Sequence, residues 1–245
     1  NGVTRFFFIT ADEADIYAGL RGSDYFGFAK GIYAMDYGST NWVSKVTTGI
    51  NLSSDFPMFV GMAKNNINIT YLAGSNDIGY PTVFKTSNGG ASWSNTFLTT
   101  SNQNVTTGWS GQGGDRGWGY GECAFGIEVA PSDASRVIFG DYGFVHATLD
   151  GGLTWQQAYT HVDDDHAAGS NTPPFQPYSS VGMENTTCWQ VFWIDQNNMW
   201  ACYSDIRGLR STDKGEQWSF NYSGHSGNSS YRMVKLPNGT LLAAT

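Results

Sequence analysis

Three octets in this chain follow one template: TSNGGASW at 86–93, TLDGGLTW at 148–155 and STDKGEQW at 211–218. Their tryptophans stand at 93, 155 and 218, a period of 62 to 63 residues. A degenerate copy, MDYGSTNW, ends at Trp42. Self-similarity at such a period confines the chain to a repeat architecture, one supersecondary unit per period. Each position has a mechanical task. Asn88, Asp150 and Asp213 can accept hydrogen bonds from backbone N–H groups further on and close a turn. Glycine supplies a positive φ that other residues resist. Trp93, Trp155 and Trp218 supply a large apolar plug. Such an octet clips two strands together and performs no chemistry itself.

Between the octets the chain reads as strands with alternating apolar residues and β-branched or aromatic enrichment. The third copy is clearest: AFGIEVA, the turn PSDAS, RVIFGD, GFVHAT, the octet, then TWQQAYTH. The first reads RFFFIT, DIYAGL, GIYAMD and NWVSKV as strands A to D. These copies predict four-stranded antiparallel units over about 1–50, 51–100, 121–162 and 187–225, with a partial fifth over 229–245. Thirty-one glycines against 14% charged residues suit an all-β chain with many tight turns.

The octets resemble the Asp box, or BNR repeat, of sialidases, the xyloglucanase family of glycoside hydrolases and sortilin-like receptors. The resemblance implies a β-propeller with the octets as C–D turns, of which about four and a half blades are present. The remaining blades are expected from chain beyond this sequence or from another subunit. The sequence opens without Met, which also suggests processing or truncation. The long crossings 99–123 and 162–187 are expected on the face opposite the octets, where loops on a rigid scaffold carry function.

Three aspartates follow strand B at 64-residue spacing: Asp77 in SNDIGY, Asp141 in GDYGF and Asp205 in YSDIRG, with Asp24 a looser fourth. By resemblance to the xyloglucanase family, Asp141 and Asp205 would be acid and base, with Asp77 next. Inverting glycosidases hold two carboxyl groups roughly 6.5–9.5 Å apart, one kept protonated by burial or a charged neighbour. A residue repeated in every blade can equally brace a turn.

The crossings hold sugar-compatible side chains: Trp109, Trp118, Tyr120 and Glu122 in the first, Phe175, Tyr178 and Glu184 in the second. Flat rings beside hydrogen-bonding groups suit a pyranose, and the same rings can instead pack the loops onto the sheets. No cofactor is expected. HVDDDH at 161–166 reads as a solvated acidic turn, with a divalent cation near Asp163 and Asp165 as the alternative. No metal-ligand spacing is present among the cysteines; Cys123 and Cys188 precede matching strands, so a bridge between them and buried free thiols are both open readings.

Net charge −8 and scattered Lys and Arg argue against nucleic acid, which needs a basic stripe. No apolar run is long enough to span a bilayer. Sequons at Asn51, Asn68, Asn104, Asn185, Asn221, Asn228 and Asn238 suit an extracellular glycoprotein. Two functions follow: a secreted glycan-recognising propeller, with an inverting endo-glycosidase as its catalytic form, or a non-catalytic extracellular module for binding, adhesion or surface assembly.

Overall fold

A computed structural model of the chain describes residues 2–11, 29–109, 120, 123–182 and 186–245. The described strands form five successive antiparallel sheets. The first holds β1 (Arg5–Ala11), β2 (Ala29–Asp36) and β3 (Val43–Ser44). The second holds β4 (Asp55–Met62), β5 (Thr70–Asn76), β6 (Pro81–Thr86) and β7 (Ser94–Asn95). The third holds β8 (Ala124–Val129), β9 (Val137–Asp141), β10 (Val145–Thr148) and β11 (Gln156–Gln157). The fourth holds β12 (Cys188–Trp193), β13 (Met199–Tyr203) and β14 (Gly208–Ser211); the fifth, β15 (Arg232–Lys235) and β16 (Leu241–Ala244). In each sheet the strands lie side by side in chain order, as the repeat predicts.

The first sheet departs from its expected layout. RFFFIT was expected to pair with DIYAGL, yet β1 pairs directly with β2, Arg5 opposite Asp36 and Ile9 opposite Ile32. Because β2 leads into the degenerate octet, β1 takes the second-strand position of the other sheets. DIYAGL lies outside the described residues.

The octets fold as one turn three times over. The opening hydroxyl of Thr86, Thr148 or Ser211 donates to the side-chain oxygen of Asn88, Asp150 or Asp213 at 2.7–2.8 Å. The same hydroxyl accepts from the N–H of Gly90, Gly152 or Gly215 at 2.8–2.9 Å. The third-position oxygen then accepts from the N–H of Ser92, Thr154 or Gln217 at 3.0 Å. These bonds pull the Asp150 carboxylate down to a pKa of about 2 against the opposing effect of burial. Gly89, Gly151 and Lys214 share one left-handed position, with φ of 66°, 76° and 68°.

The turns also join the sheets. The Trp93 indole donates to the Lys45 carbonyl and the Trp155 indole to the Thr96 carbonyl, each three residues beyond the preceding octet tryptophan and each at 2.8 Å. Lys85 Nζ donates to the Gly151 carbonyl at 2.7 Å and Tyr71 Oη to the Ala134 carbonyl at 2.8 Å, pegging the second sheet to the third. Gly61 completes that contact, because a Cβ there would stand 3.0 Å from Val129 Cγ2. Tyr71, Val83, Phe97, Ile127, Val129, Phe139 and Trp155 form the shared core.

Two expectations are corrected. The long crossings do not stay on the face away from the octets. Within the first, Asn104 and Thr106 bracket Trp155 with backbone hydrogen bonds of 2.8 and 2.9 Å; within the second, Tyr178 and Trp218 exchange a pair at 3.0 and 2.9 Å. Each crossing runs along the next octet, whose exposed backbone groups it satisfies, before reaching the next first strand. Nor are Cys123 and Cys188 bridged. All three cysteines are free, with Cys123 and Cys202 buried and Cys188 exposed.

Candidate functional site

Strand direction defines the end of each sheet opposite its octet. There the first strand begins and the second-to-third-strand link turns. In the third and fourth sheets the first strand is bulged at this end: Ala124 pairs with Asp141 and Gly126 with Gly140, then Cys188 with Tyr203 and Gln190 with Cys202. The extra residues are Phe125 and Trp189. A bulge re-aims a side chain, and both rings stand out from the pairing, 47% and 55% exposed. The second sheet carries its bulge at Met58, further from the strand's start.

Both rings meet the neighbouring links. Phe125 packs edge-on to Tyr142 with ring centroids 4.2 Å apart. Trp189 meets Tyr231 at 5.6 Å, and its indole N–H donates to Ser204 Oγ at 2.8 Å. Cys188, the chain neighbour of Trp189, lines a cavity of about 280 Å³ between the third and fourth sheets. Trp109, Phe144, Tyr178, Tyr203 and Trp218 line it, with Ser180, Thr186 and Cys188 among the polar groups. Sequence reading missed Phe125 and Trp189. Their signal is an aromatic at the second residue of a first strand, which is visible only once the bulges are known.

The aspartates are not equivalent. Asp141 is the last residue of β9; its Oδ1 accepts from the N–H groups of Gly143 at 2.8 Å and Phe144 at 2.6 Å. Its counterpart in the second sheet is Asn76, whose Oδ1 accepts from Ile78 at 3.2 Å and Tyr80 at 2.9 Å. Asp77 is the exposed next residue. In the fourth sheet the counterpart is Tyr203, whose N–H donates to the Arg207 carbonyl, and Asp205 lies two residues further on. Asp205 is exposed with φ of 62° and accepts from Asn228 Nδ2 at 3.1 Å. Only Asp141 is buried. Desolvation holds its carboxyl well above the usual carboxylate range despite the two turn bonds, and among the described residues its Oδ2 has no partner.

The loop aromatics divide. Trp109, Tyr120 and Tyr178, open to either sugar binding or loop packing from sequence, are buried, because the crossings are packed onto the next octets. The Tyr120 hydroxyl donates to Asn102. Phe175 is exposed, with φ of 63°. Trp118, Glu122, Glu184 and Asn185 lie outside the described residues, as does Asp24. In 161–166, the Asp164 carboxylate accepts from the Ser179 N–H at 2.5 Å, Asp165 bonds Thr106 and Gln157, and Asp163 faces solvent. No three metal-ligating side chains converge among the described residues.

The fold is a portion of a β-propeller. A GH74 enzyme from Niastella koreensis matches at a TM-score of 0.50 and 16% identity, over 87% of this chain and 35% of that one. A GH74 xyloglucanase from Xanthomonas campestris matches at 0.34 and 14%, over 87% of this chain and 30% of that one. YCF48 from Cyanidioschyzon merolae matches at 0.30 and 14%, over 85% of this chain and 72% of that one. The chain thus spans about a third of the length of the two GH74 enzymes. No family model matches the chain, and no curated protein matches it in sequence. Among the described residues no helix is long and apolar enough to cross a membrane.

Proposed function

We infer that this chain is part of a secreted Asp-box propeller that recognises glycans. The observation that carries the reading is the pair of bulged rings, Phe125 and Trp189, held half exposed at matching places in successive blades. Burying half of a large ring against a pyranose face is favourable, and Ser204 and the link backbones stand beside the rings for hydroxyl groups. At about 280 Å³ the cavity between the third and fourth sheets, which neither ring lines, is just below the range of roughly 300–1,000 Å³ usual for small-molecule sites and has the size of one sugar unit. The octet hydrogen bonding supports the Asp-box reading.

The test is calorimetric titration of the full-length protein with xyloglucan and β-glucan oligosaccharides. Trp189→Ala and Phe125→Ala should each weaken binding about tenfold, the equivalent of about 1.4 kcal/mol of lost stacking. Affinity unchanged in both variants would overturn the reading.

Hydrolysis is the second reading, and one observation favours it. Desolvation pushes the Asp141 carboxyl pKa well above the usual carboxylate range, the direction a general acid needs. Exposed Asp205 or Asp77 would then be the second carboxyl group of the pair. Release of reducing ends from the same substrates, lost in Asp141→Asn while glycan affinity persists, is the expected result. Asp141→Asn keeps the Oδ1 acceptor, so release undiminished in that variant leaves Asp141 a turn brace only.

A further inference from the structure

A second recess lies at the link end of the fourth sheet, and neither Phe125 nor Trp189 lines it. It encloses about 220 Å³ and is lined by Phe175, Arg207, Phe220, Tyr222, Ser223, Gly224 and His225. Two features set it apart from ordinary surface. Arg207 is a cation without an anion: no carboxylate lies within ion-pair distance of it among the described residues, in a chain of net charge −8. His225 lines the same recess with both ring nitrogens buried and unpartnered among the described residues. Buried polar atoms normally find partners, and those that lack one mark a place for an absent group.

The backbone here is held out of its usual conformations. Phe175, Asp205 and Arg207 all have left-handed φ, at 63°, 62° and 69°. Each such residue is strained and persists only where the surroundings over-determine it. They do so at Arg207. Its N–H donates to the Asn228 carbonyl at 2.9 Å, and its carbonyl accepts from the Ser230 hydroxyl. The Asp205 N–H donates to Ser229 Oγ at 3.2 Å. The link is thus clamped to the segment that enters β15, and the guanidinium is presented from a fixed base.

We propose that this recess binds the carboxylate of a hexuronate residue in an acidic polysaccharide, with Arg207 gripping the carboxylate, His225 donating one N–H, and the pyranose ring lying against Phe175 and Tyr222. The site rests on the glycan reading above and names its substrate class. Charge selects the carboxylate over a phosphate. Burial and the nearby Arg207 push the His225 pKa down, so the recess offers one positive charge, which a monoanion neutralises and a dianion exceeds. Geometry selects it too. The guanidinium fork matches a planar carboxylate with two parallel hydrogen bonds. In the chair forms of D-glucuronate and D-galacturonate the carboxylate is equatorial on the ring, so the sugar face can meet an aromatic ring while the carboxylate reaches the cation. The small volume leaves no room for bulky substituents.

The experiment is calorimetric titration of the full-length protein with sodium D-glucuronate, sodium D-galacturonate and trigalacturonate, against D-glucose, D-galactose and cellotriose. Uronates should bind at least tenfold more tightly than the neutral sugars. Arg207→Asn removes the guanidinium and suits a left-handed backbone; it should cost uronate affinity about tenfold to a hundredfold. Arg207→Gly, equally compatible with the turn, should give the same loss, and near-ultraviolet circular dichroism confirms that both variants fold. Uronates bound no better than neutral sugars, or bound equally by wild type and both variants, would overturn this site and leave the glycan reading standing. If neither class of sugar binds, both readings fall.

Discussion

The Trp155 indole N–H donates to the Thr96 carbonyl at 2.8 Å, across the boundary between the second and third sheets. Its homologue Trp218 donates instead within its own turn, to the Gly215 carbonyl at 3.0 Å. The difference follows from the second long crossing. Tyr178 occupies the backbone positions beside Trp218 that Thr48 and Asn104 take beside Trp93 and Trp155. The third and fourth sheets are therefore spaced by inserted chain, and the apolar cavity lies in that gap.

Trp155→Phe should consequently destabilise the protein more than Trp218→Phe. Trp155 is fully buried, whereas Trp218 is partly buried. Asn104 also donates to the Thr96 carbonyl, so the loss at Trp155 falls on packing more than on an orphaned acceptor. About 2–3 kcal/mol is expected for Trp155→Phe and about 1 kcal/mol for Trp218→Phe in urea denaturation. Equal losses would mean that the crossing does not relieve Trp218 of an inter-sheet role.

Lys214 stands where the other two octets place Gly89 and Gly151, and all three residues are left-handed. An L-residue there costs roughly 1–2 kcal/mol, while glycine costs about 0.5–1 kcal/mol through the freer unfolded chain. Lys214→Gly should thus be stabilising by up to about 1 kcal/mol. Gly151→Lys should destabilise by more than that gain, because its Cβ would also fall 2.7 Å from Lys85 Nζ. A loss of stability in Lys214→Gly would contradict the strain assigned to this turn.

The octets were legible because hydroxyl, Asn or Asp, glycine and tryptophan each have one local task, and local tasks survive in sequence. The strand order was legible for the same reason from β4 onward. The aspartate ring was not. Asp77, Asp141 and Asp205 are evenly spaced in sequence yet not equivalent: the residues that close the turns are Asn76 on Tyr80, Asp141 on Phe144 and Tyr203 on Arg207, so Asp77 and Asp205 lie past the equivalent position and Asp141 occupies it. Spacing counts residues, whereas the turn counts positions from the end of the ladder. Phe125 and Trp189 escaped notice because a bulge is a property of two strands together. Trp109 and Tyr178 misled because a glycine-rich crossing looks exposed until the next octet receives it.

His146 carries an acid-stability signature. Rings of Phe97, Phe139, Tyr120 and Tyr159 surround it at centroid distances of 4.9 to 5.6 Å. Burial lowers its pKa from 6.5 to about 3. Above pH 6.5 the imidazole is neutral in both states and contributes nothing to the pH dependence. As pH falls from 6.5 towards 3 only the unfolded chain takes up the proton, so stability is lost through that window. Between pH 7 and 4.5 the loss is about 2–3 kcal/mol. Asp141 acts in the opposite sense: with its folded pKa raised, acidification towards 3.8 favours the fold and partly offsets the loss. In urea titrations His146→Phe should flatten the acid limb and Asp141→Asn should steepen it. An acid limb unaltered in His146→Phe would refute the assignment.

The free cysteines give a direct chemical check. Cys188 is exposed at the rim of the inter-sheet cavity, while Cys123 and Cys202 are enclosed. Burial also pushes the Cys202 thiol pKa up, which lowers its thiolate fraction. Brief alkylation of the native protein with iodoacetamide should label Cys188 alone, and all three should react in guanidinium without reductant. Failure of the denatured, unreduced protein to take up three labels would reveal a disulfide.

Asn104 is the sequon that folding should close. Its side-chain nitrogen donates to the carbonyls of Thr96, Gly152 and Leu153 at 2.8, 3.3 and 3.1 Å, and its oxygen accepts from the Leu98 N–H at 3.0 Å. A glycan on that nitrogen would replace a donor hydrogen and press against the octet turn of the third sheet. Asn51, Asn68, Asn221, Asn228 and Asn238 are exposed residues of the folded surface. In protein secreted from a glycosylating host, glycopeptide mass spectrometry should find glycans among those five and an unmodified Asn104. Asn104→Ala should cost about 2–3 kcal/mol, since one side chain satisfies backbone groups of both the second and third sheets. Occupancy at Asn104 in folded, secreted protein would show that the amide does not serve as this clasp.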